Sequence, residues 1–427
     1  MRLHPRSSLR VSSRAEFGFG RQLADLVSGS LALSGPLTAH RTYHLNHEKR
    51  HLALRPPQHK EPPVSRSLRM SLWIVALSIA LVVLLVVSIS SIRSTDGLAT
   101  PPPSAKTTQI RPTEASDKPD DTTATVSTKT IRSASPATVY AGGLYVEPWG
   151  HAASAAKELE SDGESDAAEA ASIIAEEPVA IWLSSFYDDE QLVDLIDRNL
   201  KRAEKNGTTP VFVTYDIPNR DCGGESAGGA ASDVDYLDWN QLVVDTIRGH
   251  RAVILVEPDS IGHISTCPEQ AVDRTETLDS AVSAMYEAGI PAYLDGGNST
   301  WVDAQTMSER LQASGISKAR GFFTNVANYN TEEAERSYAE KLSDLLGGDV
   351  HYVVDVGRNG TGWRGTWCNG EGAGLGRSPR VAVNGSRIDA FLWVKTPGAS
   401  DGRCTGGPAA GQWFASYAED LVKNRAE

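Results

Sequence analysis

The chain has 427 residues and a formal net charge of −13, room for one large domain with accessory segments. Residues 1–69 hold ten Arg and two Lys against four acids, a net +8, which leaves −21 for the remainder. An acidic main portion excludes the electrostatic footprint of a nucleic-acid-binding protein.

Residues 1–69 show no hydrophobic period and contain six of the ten His. They read as a basic, disordered cytoplasmic tail, or as an extension upstream of a start at Met70 or a nearby codon. Their His and Arg spacing fits no metal or nucleic-acid motif. Met70 to Ile92 is the one long apolar run, without a charge, and a membrane-spanning helix needs ~20 such residues. Arg66 and Arg69 precede it, with Lys49, Arg50, Arg55 and Lys60 behind, whereas only Arg93 follows before Asp96. This bias puts the N-terminus in the cytoplasm and everything after Ile92 outside. The length of the run, and the lack of a clear small-x-small cleavage site, favour a single transmembrane helix over a cleaved signal peptide. The expected location is the extracellular side of the plasma membrane, or the medium if the segment is cleaved. Residues 93–140, rich in Thr, Ser, Pro and Asp, read as an extended linker that cannot bury enough surface to fold.

From residue 141 to 427, short apolar runs alternate with amphipathic stretches. Strands are expected at Val211–Thr214, Val253–Val256, Ala292–Leu294, Gly321–Thr324, Tyr352–Val354 and Phe391–Val394. Helices are expected near Glu190–Lys205, Val234–Arg248, Ala271–Ala288, Ala304–Ala313, Thr331–Leu346 and Trp413–Lys423. Such alternation implies an α/β fold with a parallel sheet. The repeat number favours a (β/α) barrel with outer helices over a doubly wound sheet, and no Gly-rich dinucleotide fingerprint follows an early strand. All four cysteines lie here, at Cys222, Cys267, Cys368 and Cys404. An even count outside the membrane suggests two disulfides, with three pairings possible. Cys222–Cys267 and Cys368–Cys404 are favoured because each joins neighbouring loops at one sheet edge. Each would contribute roughly 4 kcal/mol on the chain-entropy model.

Polar residues gather where the strands end. Val253–Val256 runs into Glu257-Pro258-Asp259, and Pro258 cannot continue a sheet ladder. Tyr215, Asp216, Arg220 and Asp221 follow the preceding strand. Asp295 follows the next, then Asn325 and Asn328, then Asp355, Arg358 and Asn359, then Lys395 and Asp401. A single strand-end Asp is commonly a helix cap or turn residue, but acids after nearly every strand exceed what capping needs. Glycoside hydrolysis needs one protonated carboxyl for the leaving oxygen and an ionised partner for water. Clustered carboxylates keep one another protonated. Trp301, Trp363 and Trp367 lie in Gly-rich loops beside these acids and would offer flat faces to sugar rings, whereas Trp393 and Trp239 suit core positions.

At these residues the chain resembles glycoside hydrolase family 6, the cellobiohydrolases and endoglucanases that cut β-1,4-glucan with inversion. The resemblance begins at Leu144-Tyr145-Val146-Glu147-Pro148 and runs through Tyr215-Asp216-Ile217-Pro218-Asn219-Arg220-Asp221-Cys222 and Ser226-Ala227-Gly228-Gly229 to Val256-Glu257-Pro258-Asp259. It continues with Tyr293-Leu294-Asp295-Gly296-Gly297, Asn325-Val326-Ala327-Asn328-Tyr329, Asp355-Val356-Gly357-Arg358-Asn359-Gly360, Trp367-Cys368-Asn369 and Leu392-Trp393-Val394-Lys395-Thr396-Pro397-Gly398, leading to Asp401. It implies a distorted, incomplete barrel with two disulfides in the pairing above. It implies Asp259 as general acid, Asp221 as the neighbour that keeps its proton in place, and Asp401 as the acid usually proposed as base. Tyr215 would sit near the distorted sugar ring, and Trp182, Trp301 and Trp367 would stack. Asp295, Asn298, Asn328 and Lys395 complete the implied binding set. The Ser226–Gly229 loop resembles a mobile loop that closes over substrate. No metal or other cofactor is implied, and the chain is expected to act as a monomer on a β-1,4-glucan.

Asn298 stands where the family usually has His, and Ala399 and Ser400 replace the usual Glu and a small residue. These departures bear on affinity and pH optimum, and they motivate an alternative: a non-catalytic glucan-binding or surface-adhesion protein on the same scaffold. The stretches Cys222–Cys267 and Cys368–Cys404 are short, which favours an open cleft and endo-cleavage. Sequons at Asn206, Asn298, Asn359 and Asn384 are no more than composition gives.

Overall fold

The structure, a computed structural model, describes residues 132–426. The basic tail, the transmembrane segment at 70–92 and most of the linker therefore lie outside the described residues. Among the described residues no helix is long and apolar enough to cross a membrane.

Strands β1 (Ile181–Leu183), β2 (Val211–Thr214), β3 (Val253–Val256), β4 (Ala292–Asp295), β5 (Gly321–Thr324), β6 (His351–Asp355) and β8 (Ile388–Leu392) pair in parallel in that order. β7 (Arg380–Val381) adds an antiparallel edge to β8. The parallel sheet curls on itself. Its ends meet at a seam one residue wide, where Val179 bridges Trp393 and Ala180 N–H donates to the Trp393 carbonyl at 2.9 Å. Trp182 Nε1 reinforces the seam with a 2.8 Å bond to Val394 O. This is the expected distorted barrel, with seven parallel strands closed by a minimal seam.

Helices α1 (Pro136–Val139), α2 (His151–Asp162) and α3 (Ser165–Ala175) precede β1. Then α4 (Asp189–Asn206), α5 (Asp233–Ile247), α6 (Ala271–Glu287), α7 (Ala304–Ala313) and α8 (Glu332–Leu345) alternate with the strands, and α9 (Ala415–Lys423) closes the chain. Their starts follow local chemistry. Asp188 forms a capping box with Gln191 ahead of α4, and Ser232, Asp303 and Thr331 cap α5, α7 and α8.

Side-chain alternation divides the core in two. Phe212, Ile254, Val256, Leu294, Phe322, Tyr352 and Phe391 face the helices, while Val213, Val253, Leu255, Tyr293, Phe323, Val353 and Leu392 face the barrel interior. Both faces are buried, which is why these strands read as continuous apolar runs. Val139 and Tyr140 join the interior cluster. Their segment is fastened by Arg132, which donates to Ile316 O at 2.6 Å and Ala319 O at 3.2 Å.

Near the strands' N-terminal ends lies a buried ionic knot. Asp389, on β8, receives Arg320 Nε and Nη2 at 2.7 Å each, Tyr293 Oη at 2.5 Å, and His351 Nδ1 at 3.0 Å. Burial works to raise its pKa, but His351 and Arg320 outweigh burial and hold the carboxyl below its ordinary range.

The last expected strand, Phe391–Val394, is corrected to Ile388–Leu392. Asp389 interrupts the apolar run there, and its pairing with Arg320, His351 and Tyr293 lets it sit inside a strand. The strands β1 and β7 and the helices α1, α2 and α3 are additions to the expected set. Helix α1 and the buried Val139 and Tyr140 correct the end of the expected linker, because these apolar side chains find a place in the barrel core.

Candidate active site

The parallel register sets Thr214 beside Val256, Val256 beside Leu294, Asp295 beside Phe323, Thr324 beside Val354 and Asp355 beside Leu392. The loops carrying Tyr215, Asp221, Asp259, Asp295, Lys395 and Asp401 therefore leave from one rim, the strands' C-terminal edge. Among the described residues, all nine non-glycine residues with positive φ fall in loops that follow strands at this rim, those after β5 and β6 included: Asn219, Asp221, Cys222, Glu257, Asp259, Asn325, Ala327, Asn369 and Thr405. Such conformations cost of order 1–3 kcal/mol each and persist where the surroundings over-determine them. Asp259 itself has φ 69°.

The rim is stitched by the two favoured disulfides. Cys222–Cys267 joins the loop after β2 to the loop after β3, and Cys368–Cys404 joins the loop after β6 to the loop after β8, each with Cα atoms 6.2 Å apart. The two crosslinked regions touch where Arg403 N–H donates to Glu225 Oε2 at 3.3 Å.

The carboxylates differ sharply in what holds them. Among the described residues no hydrogen-bond donor is seated on the Asp259 carboxyl, although the side chain is crowded by protein and only part-exposed. Desolvation, followed by the nearby Asp295 charge, pushes it up to about 7. Asp221 is pinned at both oxygens, by Ser226 N–H at 2.7 Å and by His263 Nε2 at 3.3 Å. Burial tends to raise its pKa, but the His263 and Ser226 bonds and the Arg220 charge outweigh that and keep it below the ordinary range. Asp401 is nearly saturated: Arg358 Nη1 at 2.7 Å and Asn369 N–H at 2.9 Å reach Oδ2, and Lys395 Nζ lies 3.2 Å from Oδ1. Here too burial is overcome, by Arg358 and Lys395, and the carboxyl lies below its usual range. Asp295 accepts from Gly297 N–H at 3.0 Å and Gly262 N–H at 3.3 Å, yet desolvation still lifts it to about 6. Asp259 and Asp295 are thus raised and Asp221 and Asp401 held as anions. Of the raised pair only Asp259 has no donor seated on it among the described residues, and such a division is what general acid catalysis needs.

Part of the acid ring does serve turns. Asp295 and Asp355 each bond the backbone N–H two residues on, at Gly297 and Gly357, the Asx-turn role. Glu257 is fully buried and holds the backbone N–H groups of Asp216 and Ile217, fixing the β2 loop from β3.

The remaining predicted residues distribute as follows. Tyr215 stacks its edge on Trp182 at 5.1 Å and lies under the Arg220 guanidinium at 4.8 Å. Arg220 also ties down the Ser226–Gly229 loop through Ser226 O at 2.9 Å and through its own N–H to Gly228 O at 3.1 Å. Trp301, Trp363 and Trp367 stand 36%, 50% and 51% exposed on the rim, whereas Trp393 is buried. Asn328 is half-buried. Asn298 is buried, and its side-chain oxygen accepts from Thr300 N–H and Oγ1 and from Asn330 Nδ2, so it braces its own loop.

Sequence reading assigned no role to Arg358, Tyr329, Tyr417 and Asn369 around Asp401, nor to His263 beside Asp221. Tyr329 Oη bonds Tyr417 Oη at 2.8 Å and receives Gly370 N–H at 2.9 Å, and Arg358 lies over the Tyr329 ring at 4.8 Å. These pairings join residues tens of positions apart, so no local pattern announces them.

A family model described as glycosyl hydrolases family 6 matches residues 140–425. Endoglucanase A of Cellulomonas fimi is 39% identical over 251 residues, 59% of this chain and 55% of that relative, so the match spans about half of its length. Endoglucanase 1 of Streptomyces halstedii is 34% identical over 295 residues, 67% of this chain and 90% of that relative. Among solved structures, the endoglucanase Cel6 from Mycobacterium tuberculosis, in complex with methyl-cellobiosyl-4-deoxy-4-thio-β-D-cellobioside, superposes with a TM-score of 0.62 at 34% identity, covering 69% of this chain and 98% of that one.

Proposed function

The chain belongs to glycosyl hydrolases family 6, and from that premise we propose that it hydrolyses β-1,4-glucosidic bonds of cellulose or a related β-glucan with inversion, Asp259 being the general acid. The observation that carries the assignment is the contrast at the rim: a donor-free Asp259 lifted to about 7, between Asp221 and Asp401 held ionised. Asp259 gives its proton to the leaving glycosidic oxygen as the bond to the anomeric carbon breaks. Water attacks that carbon from the opposite face, and its proton passes to a carboxylate. Asp401, drained by Arg358, Lys395 and Asn369, is a weak base and a strong fixed negative charge. It steadies the positive charge that develops on the sugar ring and orients the water. Asp221 keeps the proton on Asp259 by its charge and stands ready as a second acceptor. Tyr215 and Trp182 flank the distorted ring, Trp301 and Trp367 stack the adjoining sugars, and Asp295, Lys395, Asn298 and Asn328 complete the binding surface.

Endo action fits the short crosslinked loops and the names of the two endoglucanase relatives. The two crosslinked pairs of loops touch through the bond from Arg403 N–H to Glu225, a closure that a chain entering from the side can break. The domain works outside the cell as a monomer, held at the plasma membrane by residues 70–92 or released if they are cleaved.

The test follows viscosity and reducing ends together on carboxymethyl cellulose, for the purified chain and its Asp259→Asn variant. A viscosity drop that is fast relative to reducing ends, lost by about 10²–10⁴-fold in the variant, is expected. Equal rates in both would remove Asp259 from its role. No hydrolysis by the folded, crosslinked chain on this or mixed-linkage glucan would leave the glucan-binding alternative.

A further inference from the structure

Four residues beyond Asp259, the turn Gly262–Ser265 carries a histidine that the acid machinery described above uses only as a neighbour. His263 Nε2 lies 3.3 Å from Asp221 Oδ1, and its backbone N–H donates to Asp259 O at 2.9 Å. The ring stands edge-on to Trp301 with centroids 5.0 Å apart. From α7, Arg310 grips the same turn, donating to Ile261 O at 3.1 Å, Gly262 O at 3.3 Å and Ser265 Oγ at 2.6 Å. The backbone of the turn is thus fixed from α7, and the imidazole is held by Asp221 and packed against Trp301. Its other nitrogen, Nδ1, is buried without a hydrogen-bond partner among the described residues.

Charged groups face this ring from several elements. Asp221 comes from the loop after β2, Asp259 from the residue's own loop and Asp295 from β4. Lys395, after β8, acts on Asp259, and Arg310 is committed to the turn's backbone and Ser265. Three carboxylates around one imidazole favour its cationic form. Its hydrogen bond to Asp221, and then these charges, raise His263 above the ordinary histidine range despite burial.

We propose that His263 is a positioning residue of the acid–base machinery: through Nε2 it holds the Asp221 carboxylate in place and ionised, and through its charge it meters the proton on Asp259. The proposal rests on the hydrolase reading above. As imidazolium, the ring opposes the Asp221 charge and makes Asp259 a stronger acid. Once neutral, it leaves the Asp221 charge uncompensated, and Asp259 keeps its proton to higher pH. The turn thus couples two carboxylates that lie on different strands.

Two variants separate this from simple packing under Trp301. His263→Gln keeps an amide donor toward Asp221 but no charge, and His263→Leu keeps neither. In profiles of kcat/KM against pH, the Leu variant should move both limbs upward by about 0.5–1 unit, the acid limb through Asp221 and the basic limb through Asp259. The Gln variant should move the basic limb alike and restore the acid limb. A uniform fall in rate with both limbs unmoved overturns the proposal. A readout independent of catalysis accompanies it, nuclear magnetic resonance titration of the histidine-labelled chain, in which the His263 resonance is the one missing from His263→Gln. That resonance should titrate above ~6.5, and at lower pH in Asp221→Asn. Titration at the same pH with and without the Asp221 carboxylate overturns the proposal. A preserved shift without hydrolysis removes only the functional reading.

Discussion

Asp259 and Asp389 are both aspartates of the same barrel, one just beyond the C-terminal edge of β3 and one near the start of β8. Protein surrounds both, and desolvation is the first influence on each. At Asp389, donors from β4, from the residue preceding β5 and from β6 occupy both oxygens, and the group is held as an anion. At Asp259 no donor is seated and other carboxylates stand near, so the proton stays. Burial alone therefore says nothing about what a carboxyl does. What decides is whether the fold seats a cation on it: Asp389 has Arg320, whereas two backbone N–H groups alone leave Asp295 raised. The barrel supplies cations to Asp389 at its floor and to Asp221 and Asp401 on its rim, and seats none on Asp259 among the described residues.

The strongest way to break this comparison is to remove each charge in turn. Asp259→Asn should cost hydrolysis, by the factor given above, and leave the unfolding midpoint unchanged or higher, because an uncompensated buried carboxyl is lost. Asp389→Asn should do the reverse. It strands the Arg320 guanidinium and should lower unfolding free energy by about 3–5 kcal/mol, while the folded fraction keeps its turnover. Urea titrations beside initial rates read both. Loss of turnover without loss of stability at Asp389 would sink the distinction.

A finer test uses pH. Asp389 has a depressed native pKa, so its contribution is present above the unfolded value of ~3.9 and is lost as pH falls below it. Asp259 has a raised native pKa, so the native state holds the extra proton, and stability falls as pH rises from ~4 to about 7. That decline is on the order of 2–4 kcal/mol and should be absent from the Asp259→Asn variant. Urea unfolding at pH 4, 5.5 and 7 checks it; parallel curves for wild type and variant would contradict the assigned state of Asp259. The smallest effect is expected from Tyr293→Phe, which removes one of the donors on Asp389. Other donors remain, so the loss should be about 1 kcal/mol, measured as a shift in urea midpoint with no change in rate.

The same contrast explains what the sequence made legible. Strands β2, β3 and β5 were readable to the residue because both of their faces are apolar. The apolar pattern puts β8 too late in the chain because Asp389 is polar in sequence and is buried against Arg320, His351 and Tyr293, all at least 38 positions away. β1 is three residues long, too short for a period. α2 and α3 bury mostly alanine, which carries little periodic signal. At the rim the acids were visible as strand-end motifs. The groups that decide their protonation were not: His263 acts on Asp221 across two loops, and Arg358 acts on Asp401 from 43 residues away. Local pattern reveals which carboxyls are present, and only the closed barrel reveals which of them are neutralised.

Both crosslinks lie on the rim. Asp221 adjoins Cys222, His263 precedes Cys267 by four residues, Asn369 adjoins Cys368 and Asp401 precedes Cys404 by three. The strands and helices beneath contain no cysteine. Thiol chemistry is thereby confined to the machinery and spares the chassis. In a reducing compartment the loops bearing the acids would lose these ties, and the fold would lose roughly 4 kcal/mol for each. Arrival in an oxidising one fastens the acid-bearing loops to one another, so that the surroundings themselves set how firmly the rim is held.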